Sequence, residues 1–421
     1  MVHPSELLPS EVWNHVFSYL SEAEKSCVRV ACTYFRKLID HPSLWRNWSV
    51  VLDFPDGSYY PFFWETLRRR KVTGVVLRTS KSKHIEDVAW SLPGLTTLVM
   101  EGCDAANLEC LKSFKNLKSL AIRSADVVHL SMVSQPEQLT HLSLCNLPYI
   151  GTYETISAVI QFKNLASLSL HVITWGIPFS KIRCILASLP KLKHLALHVS
   201  FPRSSRDDFD VSEPNASQLT SLELFAMSYP LPENAMKLMP KLKRLTMYNK
   251  DGPQERPGNR PQSVMSKWLS DLHELSTLVI VEGPLVKEYV ASIPATLMDL
   301  TLRISKFSLE DMAAVAAQTP NLQRLHLDTW PSHLGVNVSQ IPKLFPKLKR
   351  LAIRFAHVPE KNFLDLHQLQ DLEILEILDS HPDLPVLVQR LRILTRYRLR
   401  VLIPPYQRDV LSCLCVSGMY C

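Results

Sequence analysis

The sequence predicts an α/β solenoid, a stack of short parallel strands and helices, preceded by a small three-helix domain. Three observations predict it. A Leu-x-x-Leu-x-Leu/Ile/Met pattern recurs in twelve copies, 22 to 27 residues apart except for one gap of 33. Apolar residues at helical spacing fill intervals between copies. The opening fifty residues escape the pattern and read as short amphipathic helices.

The copies run from Leu95-Leu98-Met100 and Leu117-Leu120-Ile122, through Leu192-Leu195-Leu197 and Leu219-Leu222-Leu224, to Leu372-Leu375-Ile377. Val72-Val75-Leu77 reads as a degenerate first copy and Leu394-Tyr397-Leu399 as a last one. Alternate residues of a strand share a face, so the last two apolar positions of each copy point inward and their neighbours outward. Between copies, stretches such as Leu309 to Ala316 and Ser263 to Leu272 carry helical periodicity. Prolines introduce many copies, as in Pro190-Lys191-Leu192 and Pro346-Lys347-Leu348, ending the helix and turning the chain into the next strand. One such unit cannot bury its apolar face alone, whereas stacked units share a continuous core.

A strand, turn and helix every ~20–29 residues resembles the leucine-rich repeat. That resemblance implies a horseshoe with parallel strands on the concave face and helices on the convex face. The repeats are irregular: Cys103 and Ala125 stand where an asparagine ladder often begins. Two polar, turn-rich insertions, Arg203 to Ser217 and Asn249 to Gln262, predict exposed loops. The acidic cluster Asp207, Asp208 and Asp210 reads as a solvated turn, since no ordered cation loop surrounds it.

In the first segment, helices are expected over Leu7 to Leu20, Glu22 to Cys32 and Tyr34 to Asp40. A bundle this small needs a partner or the solenoid to cover part of its apolar surface. Leu8-Pro9-x-x-Val12-x-x-x-Val16-Phe17-Ser18-Tyr19-Leu20 is followed by Cys32-x-x-Phe35-Arg36-x-Leu38 and Pro42-Ser43-Leu44-Trp45-Arg46. This combination resembles an F-box over about forty residues. With the repeats behind it, the chain is similar to the F-box/leucine-rich-repeat proteins. The division expected is an F-box at 1–50 and a solenoid at 51–421.

The resemblance implies an adaptor subunit of an SCF-type ubiquitin ligase with no active site of its own. Leu8, Pro9, Val16, Phe17, Leu20, Leu38, Leu44 and Trp45 would form or support the surface that docks on a Skp-type adaptor, and through it on cullin and RING subunits. The repeats would hold the protein to be ubiquitinated. Lys25 and Ser26 depart from the family's usual leucines, and Ala31 from its valine. A leucine-rich-repeat scaffold or inhibitor that binds a protein or an RNA, without ubiquitin, is the alternative; a helical cap that seals the first repeat is the competing reading of the opening helices.

Composition and motifs fit a binding protein. Eleven glycines in 421 residues leave little for phosphate-wrapping loops, and a formal charge of +7 is modest for nucleic-acid binding. No Gly-x-Ser-x-Gly, His-Glu-x-x-His, Walker-type loop or zinc spacing occurs. Neither a cofactor nor a metal is expected: His171, His194 and His198 share one sheet face but lack acidic supporting partners, and read as exposed polar residues. The nine scattered cysteines predict reduced thiols. Without an apolar run of ~18 residues or a signal-like start, neither a membrane span nor secretion is expected, which points to the cytoplasm or nucleus. The sequons at Asn47, Asn215 and Asn337 would then go unused, and Cys421 is not placed for prenylation. The run Arg68-Arg69-Arg70-Lys71 reads as the solvated end of a helix.

Outward positions change along the solenoid. Early copies present Ser119, His141, Ser143, Ser167, Ser169, Ala196 and Ser221, whereas later ones present Arg244, Asp299, Arg303, Arg324, Asp328, Arg350 and Arg354. Arg324 and Arg350 stand at equal offsets, where like charges repel unless an anion intervenes. Arg303, Arg324, Arg350 and Arg354 are therefore candidate ligands for an acidic or phosphorylated segment. Internal pairing is the competing arrangement, through Asp328 with Arg303 and Arg354 and through Asp299 with Arg324.

Overall fold

Pro9 sets where the first helix begins. The computed structural model describes residues 8–45, 48–54, 57, 59–78, 81–102, 111–124, 136–147, 152–173, 177, 179–199, 217–226, 231–249, 264–329 and 334–403. Within them α1 spans Ser10–Ser18, α2 Glu22–Ala31 and α3 Thr33–Ile39, followed by a 3-10 turn at Pro42–Trp45. Helix α1 is shorter than the periodicity predicts because Pro9, extended at ψ 150°, occupies its N-cap. Ser21 and Glu24 form a reciprocal capping box at the start of α2, and the Cys32 sulfur caps α3 by accepting from the Phe35 amide.

The described residues divide into two compact units, one through Leu165 and one from Ala166 onward. The first holds the three helices and strands β1 (Ser49–Asp53), β2 (Gly74–Arg78), β3 (Thr97–Glu101), β4 (Ser119–Arg123) and β5 (His141–Leu147). Its later helices are α4 (Pro61–Arg69), α5 (Ser82–Ser91) and α6 (Thr152–Val159). These strands pair in parallel in chain order. Strand β1 spans the 50/51 junction. Its inward Val50 and Leu52 match Val75 and Leu77, but no leucine stands three residues earlier, so the repeat pattern does not reveal it.

The second unit holds β6 (Ser167–Ile173), β7 (His194–Val199), β8 (Ser221–Ala226), β9 (Arg244–Asn249) and β10 (Thr277–Val281). It continues with β11 (Asp299–Arg303), β12 (Arg324–Asp328), β13 (Arg350–Ile353), β14 (Ile374–Ile377) and β15 (Arg400–Leu402). Between strands lie α7 (Phe179–Ser188), α8 (Val264–Asp271), α9 (Leu309–Gln318), α10 (Ile341–Leu344), α11 (Glu360–Leu364) and α12 (Leu384–Leu394). Parallel pairing brings Leu168, Leu195, Leu222, Leu245, Leu278, Leu300, Leu325, Leu351 and Leu375 side by side, each 2% exposed or less. This row is the core of the unit, and every strand of the twelve-copy pattern is present.

Hydroxyl groups tie successive copies together. Thr96, Thr140, Thr220 and Ser276 each donate to a backbone carbonyl of the preceding copy, at 3.1 to 3.3 Å. The last copy needs a correction. Register aligns Leu375 with Val401, so its positions are Arg398, Val401 and Ile403, four residues beyond Leu394-Tyr397-Leu399. Helix α12 continues through Leu394, and Tyr397, at positive φ, is 67% exposed. Arg398 fills the place of a leucine by donating to the Leu369 and Leu372 carbonyls. The insertion at 203–217 except Ser217, the acidic cluster and the insertion at 249–262 except Asn249 lie outside the described residues.

Candidate docking surfaces

Helix α1 is apolar on two sides. Trp13, Phe17 and Leu20 turn inward onto Ile39 and Trp45, with Val28, Phe35, Leu38, Leu44 and Trp48 packed around them. Phe17 and Trp45 are each 2% exposed. Aromatic edges lock the arrangement: Phe35 meets Trp13 at 4.8 Å and Phe17 at 5.4 Å between ring centroids. Val12 and Val16, one turn apart on α1, and Leu8, just before the helix, are each 41 to 42% exposed, and Tyr19 and Val30 are more exposed still. On so small a domain these residues leave apolar side chains open to solvent.

The eight residues expected at the adaptor surface therefore separate by burial. Leu8, Pro9 and Val16 are exposed, Leu20, Leu38 and Leu44 are half-buried, and Phe17 and Trp45 are core. Val12, Tyr19 and Val30 join the exposed set. The fourfold spacing of Leu8, Val12 and Val16 was the available signal for Val12, whereas nothing local marks Val30.

Asp40 ends α3 and is the charged centre of the domain. Its carboxylate accepts from Arg29 at 2.9 Å, Arg69 at 2.5 Å and Arg70 at 2.8 Å, with its own side chain 3% exposed. Burial alone would raise the carboxyl's pKa; the Arg29 and Arg70 hydrogen bonds outweigh it and hold the group below the ordinary carboxylate range. The basic run that closes α4 is thus no solvated end. Arg69 and Arg70 clamp Asp40, and Arg68 donates to the Ser91 carbonyl at 2.8 Å. Arg70 also lies over the Trp45 ring at 3.9 Å. Through Asp40, α3 is bound to the helix that follows β1.

On the outer face of the second unit, the candidate arginines are ion-paired. Arg303 and Arg354 both reach Asp328, at 3.1 and 2.5 Å, Arg324 reaches Asp299 at 3.0 Å and Arg350 reaches Glu376 at 3.1 Å. Arg324 and Arg350 are register partners, as expected, but each turns away to a carboxylate on its far side. Burial would raise the Asp328 pKa, and its two arginines keep it lowered. Upstream the same face is aromatic. Phe225 stacks on Tyr248 at 4.3 Å, and His171, 2% exposed, meets Phe225 edge-on at 5.1 Å. His171 is thus a packed ring where exposure was expected, and its register partner is His198. Among the described residues, no three His, Cys, Asp or Glu side chains cluster as metal ligands, and no helix is long and apolar enough to cross a membrane.

A family model described as F-box-like matches residues 5–49. The N-terminal domain is an F-box-like domain. Behind it stands a leucine-rich-repeat solenoid, by the twelve-copy pattern and its parallel register. Solved structures similar to the chain include TLR13 in its complex with ssRNA13, at 17% identity and TM-score 0.43 over 78% of this chain. The chain spans 50% of that protein's length. Another is an internalin (inlF) from Listeria monocytogenes, at 13% identity and TM-score 0.38, covering 78% of this chain and 85% of that one. No curated protein matches the sequence.

One departure from the F-box pattern has a local explanation. Lys25, where leucine is usual, is 8% exposed, lies 5.5 Å from the Trp45 ring centroid and donates to the Leu44 carbonyl at 3.3 Å. Its stem takes a leucine's packing role while its ammonium finds an acceptor. Ser26 is exposed.

Proposed function

We propose that this protein is the substrate-receptor subunit of an SCF-type ubiquitin ligase, working in the cytoplasm or nucleus without an active site of its own. The observation that carries the reading is the exposed apolar stripe Leu8, Val12 and Val16 on an F-box-like domain joined to leucine-rich repeats. The Skp-type adaptor covers that stripe, with Pro9, Leu20, Leu38 and Leu44 at its margin and Phe17 and Trp45 supporting it from beneath. Cullin and RING subunits follow through the adaptor.

The protein to be ubiquitinated is read by the outer face of the second unit. Arg303, Arg324, Arg350 and Arg354 stand there, and an acidic or phosphorylated segment has to compete with Asp299, Asp328 and Glu376 for them. The half-buried Tyr248 ring, stacked on buried Phe225, supplies an apolar contact beside this charged row.

Co-purification from cells tests the reading. A tagged chain should bring down a Skp-type adaptor and a cullin, and Val12→Asp with Val16→Asp should lose both while the chain stays folded. Capture of a partner protein without adaptor or cullin would make the chain a repeat scaffold instead. Arg324→Glu with Arg350→Glu should lose the substrate and keep the adaptor.

A further inference from the structure

Residues 384–403 carry five arginines and no acidic residue. They form α12, the turn after it and β15, which among the described residues pairs with β14 and with no further strand. The terminal unit of a solenoid needs a polar outer face to stay soluble. This one is apolar as well as basic. Leu384, Leu387, Val388 and Leu391 bury one side of α12, while Val386 and Ile393, two turns apart on the opposite side, are 65% and 56% exposed. Gln389, between them, donates to the Tyr397 hydroxyl at 3.4 Å and so sets that exposed ring beside the same strip. Leu394 and Ile403 are exposed as well.

The arginines here differ from those on the outer face of the sheet. Arg303, Arg324, Arg350 and Arg354 each meet a carboxylate. In the last copy Arg390 pairs with Glu360 of α11 and Arg398 is held by two carbonyls, whereas Arg392, Arg396 and Arg400 have no ion-pair partner among the described residues. The Arg390 pair marks the flank of α12 turned towards the stack. Arg392, roughly 200° further round the helix, lies on the flank turned away, the side on which β15 leaves its edge open. Arg396 and Tyr397 follow at φ 52° and 59°, in the left-handed region where helices commonly end on glycine. The Tyr397 amide donates to the Arg392 carbonyl at 2.7 Å and the Arg396 amide to the Ile393 carbonyl at 3.0 Å, which fixes the turn. Two large exposed side chains at such positions point to a use for them beyond the fold.

We propose that the terminal copy docks an acidic, extended segment of a partner protein. The segment adds a strand to β15, seats apolar side chains on Val386, Ile393 and Tyr397, and pairs carboxylates with Arg392, Arg396 and Arg400. Charge complementarity selects an acidic partner, and it disfavours a second copy of this chain, since two such faces would oppose their unpaired guanidinium groups. The open strand edge selects a polypeptide over an anionic lipid surface or a nucleic acid, because a polypeptide answers a row of N–H and C=O groups with its own. The inference rests neither on adaptor docking nor on the arginine row of the sheet.

The test uses a fluorescein-labelled peptide, Glu-Leu-Asp-Ile-Glu-Val-Asp, titrated with the full chain and read by fluorescence anisotropy. The chain should bind it and leave unbound a counterpart with lysine at each acidic position. Arg392→Glu with Arg396→Glu should weaken binding about ten-fold or more, and Ile393→Asp about ten-fold. Lys287→Glu with Lys343→Glu, the same change of charge elsewhere on the unit, should leave binding as it was. Methylating alternate peptide nitrogens removes donors that reach β15 and should cost about ten-fold. Arg396→Gln with Arg400→Gln, both at exposed positions, serves if the charge reversals do not fold. Absence of binding overturns the proposal, as does binding that survives the Arg392 and Arg396 changes or falls equally with the two lysines. Tighter binding of phosphatidylserine vesicles or of single-stranded RNA through the same arginines assigns the face to that class and overturns it. Binding that appears only in a chain ending at Ile403 shows the face covered by the chain's own later residues, and overturns it too.

Discussion

Asp40 faces three guanidinium groups and is almost wholly buried, so replacing it leaves cations without their counter-charge. Asp40→Asn should lower stability by about 3 kcal/mol, the low end for a broken buried pair because Arg69 is half exposed. Thermal unfolding followed with the Trp45 environment as probe measures it, and an unchanged melting temperature would deny Asp40 its role. The pH dependence has a definite sign. Asp40 and Asp328 both have folded pKa values below the ordinary 3.8, so their stabilisation is complete above that value and is lost as pH falls through the lower folded value. Melting temperature should be insensitive to these two groups between about pH 5 and 8 and fall below about pH 4. In Asp40→Asn the acid-side decline should be shallower. Burial also decides how helix α1 is mutated: Phe17→Asp should unfold the domain, at about 3–5 kcal/mol for the lost ring alone, whereas Val16→Asp leaves it folded. Val16→Asp should weaken a purified Skp-type adaptor about thirty-fold, the equivalent of about 2 kcal/mol, measured by titration calorimetry.

Strand β10 shows how one element serves two surfaces. Leu278 points into the core at 0% exposure and Val279, its neighbour, points out and is half-buried. Leu278→Ala should cost about 2–5 kcal/mol and Val279→Ala less than about 1 kcal/mol, read from denaturant melts. Equal effects would mean that the strand register is wrong by one. At the far end, the last copy lies four residues beyond where the repeat rhythm places it, because α12 runs through Leu394, and Arg398 takes the leucine's place by hydrogen bonding. The rhythm misplaces that copy because it counts apolar residues, and a guanidinium that satisfies two carbonyls is invisible to such a count.

Within each unit, the described strands pair in parallel with their sequence neighbours, which makes stability a nearest-neighbour property. Leu278→Ala should therefore accelerate hydrogen exchange in β9 to β11 far more than in β13 to β15, and mass spectrometry of the exchanged peptides resolves the two regions. Uniform acceleration across the second unit would show that it unfolds as one cooperative block. The outer faces of the two units also differ in kind. One carries the buried row Val76, Val99 and Ala121, and the other carries the Phe225–Tyr248 stack and the arginine–carboxylate pairs.

The sequence by itself determined the solenoid, because a leucine every 22 to 27 residues permits no other way to bury so many side chains, and it determined the F-box resemblance through residue types at set spacing. Tertiary structure alone decided which charges meet. Arg70 and Asp40 are thirty residues apart, and Arg324 and Asp299 twenty-five, distances over which sequence carries no electrostatic information. The pairing of Arg324 with Asp299 was legible as one of two arrangements, and only the side-chain geometry chose between them. Strand β1 needed the structure as well, since a two-residue apolar signal is too short to stand without the neighbour it pairs with. Burial of Val99 was the least legible of all, because its own strand and its register neighbours mark it as outward.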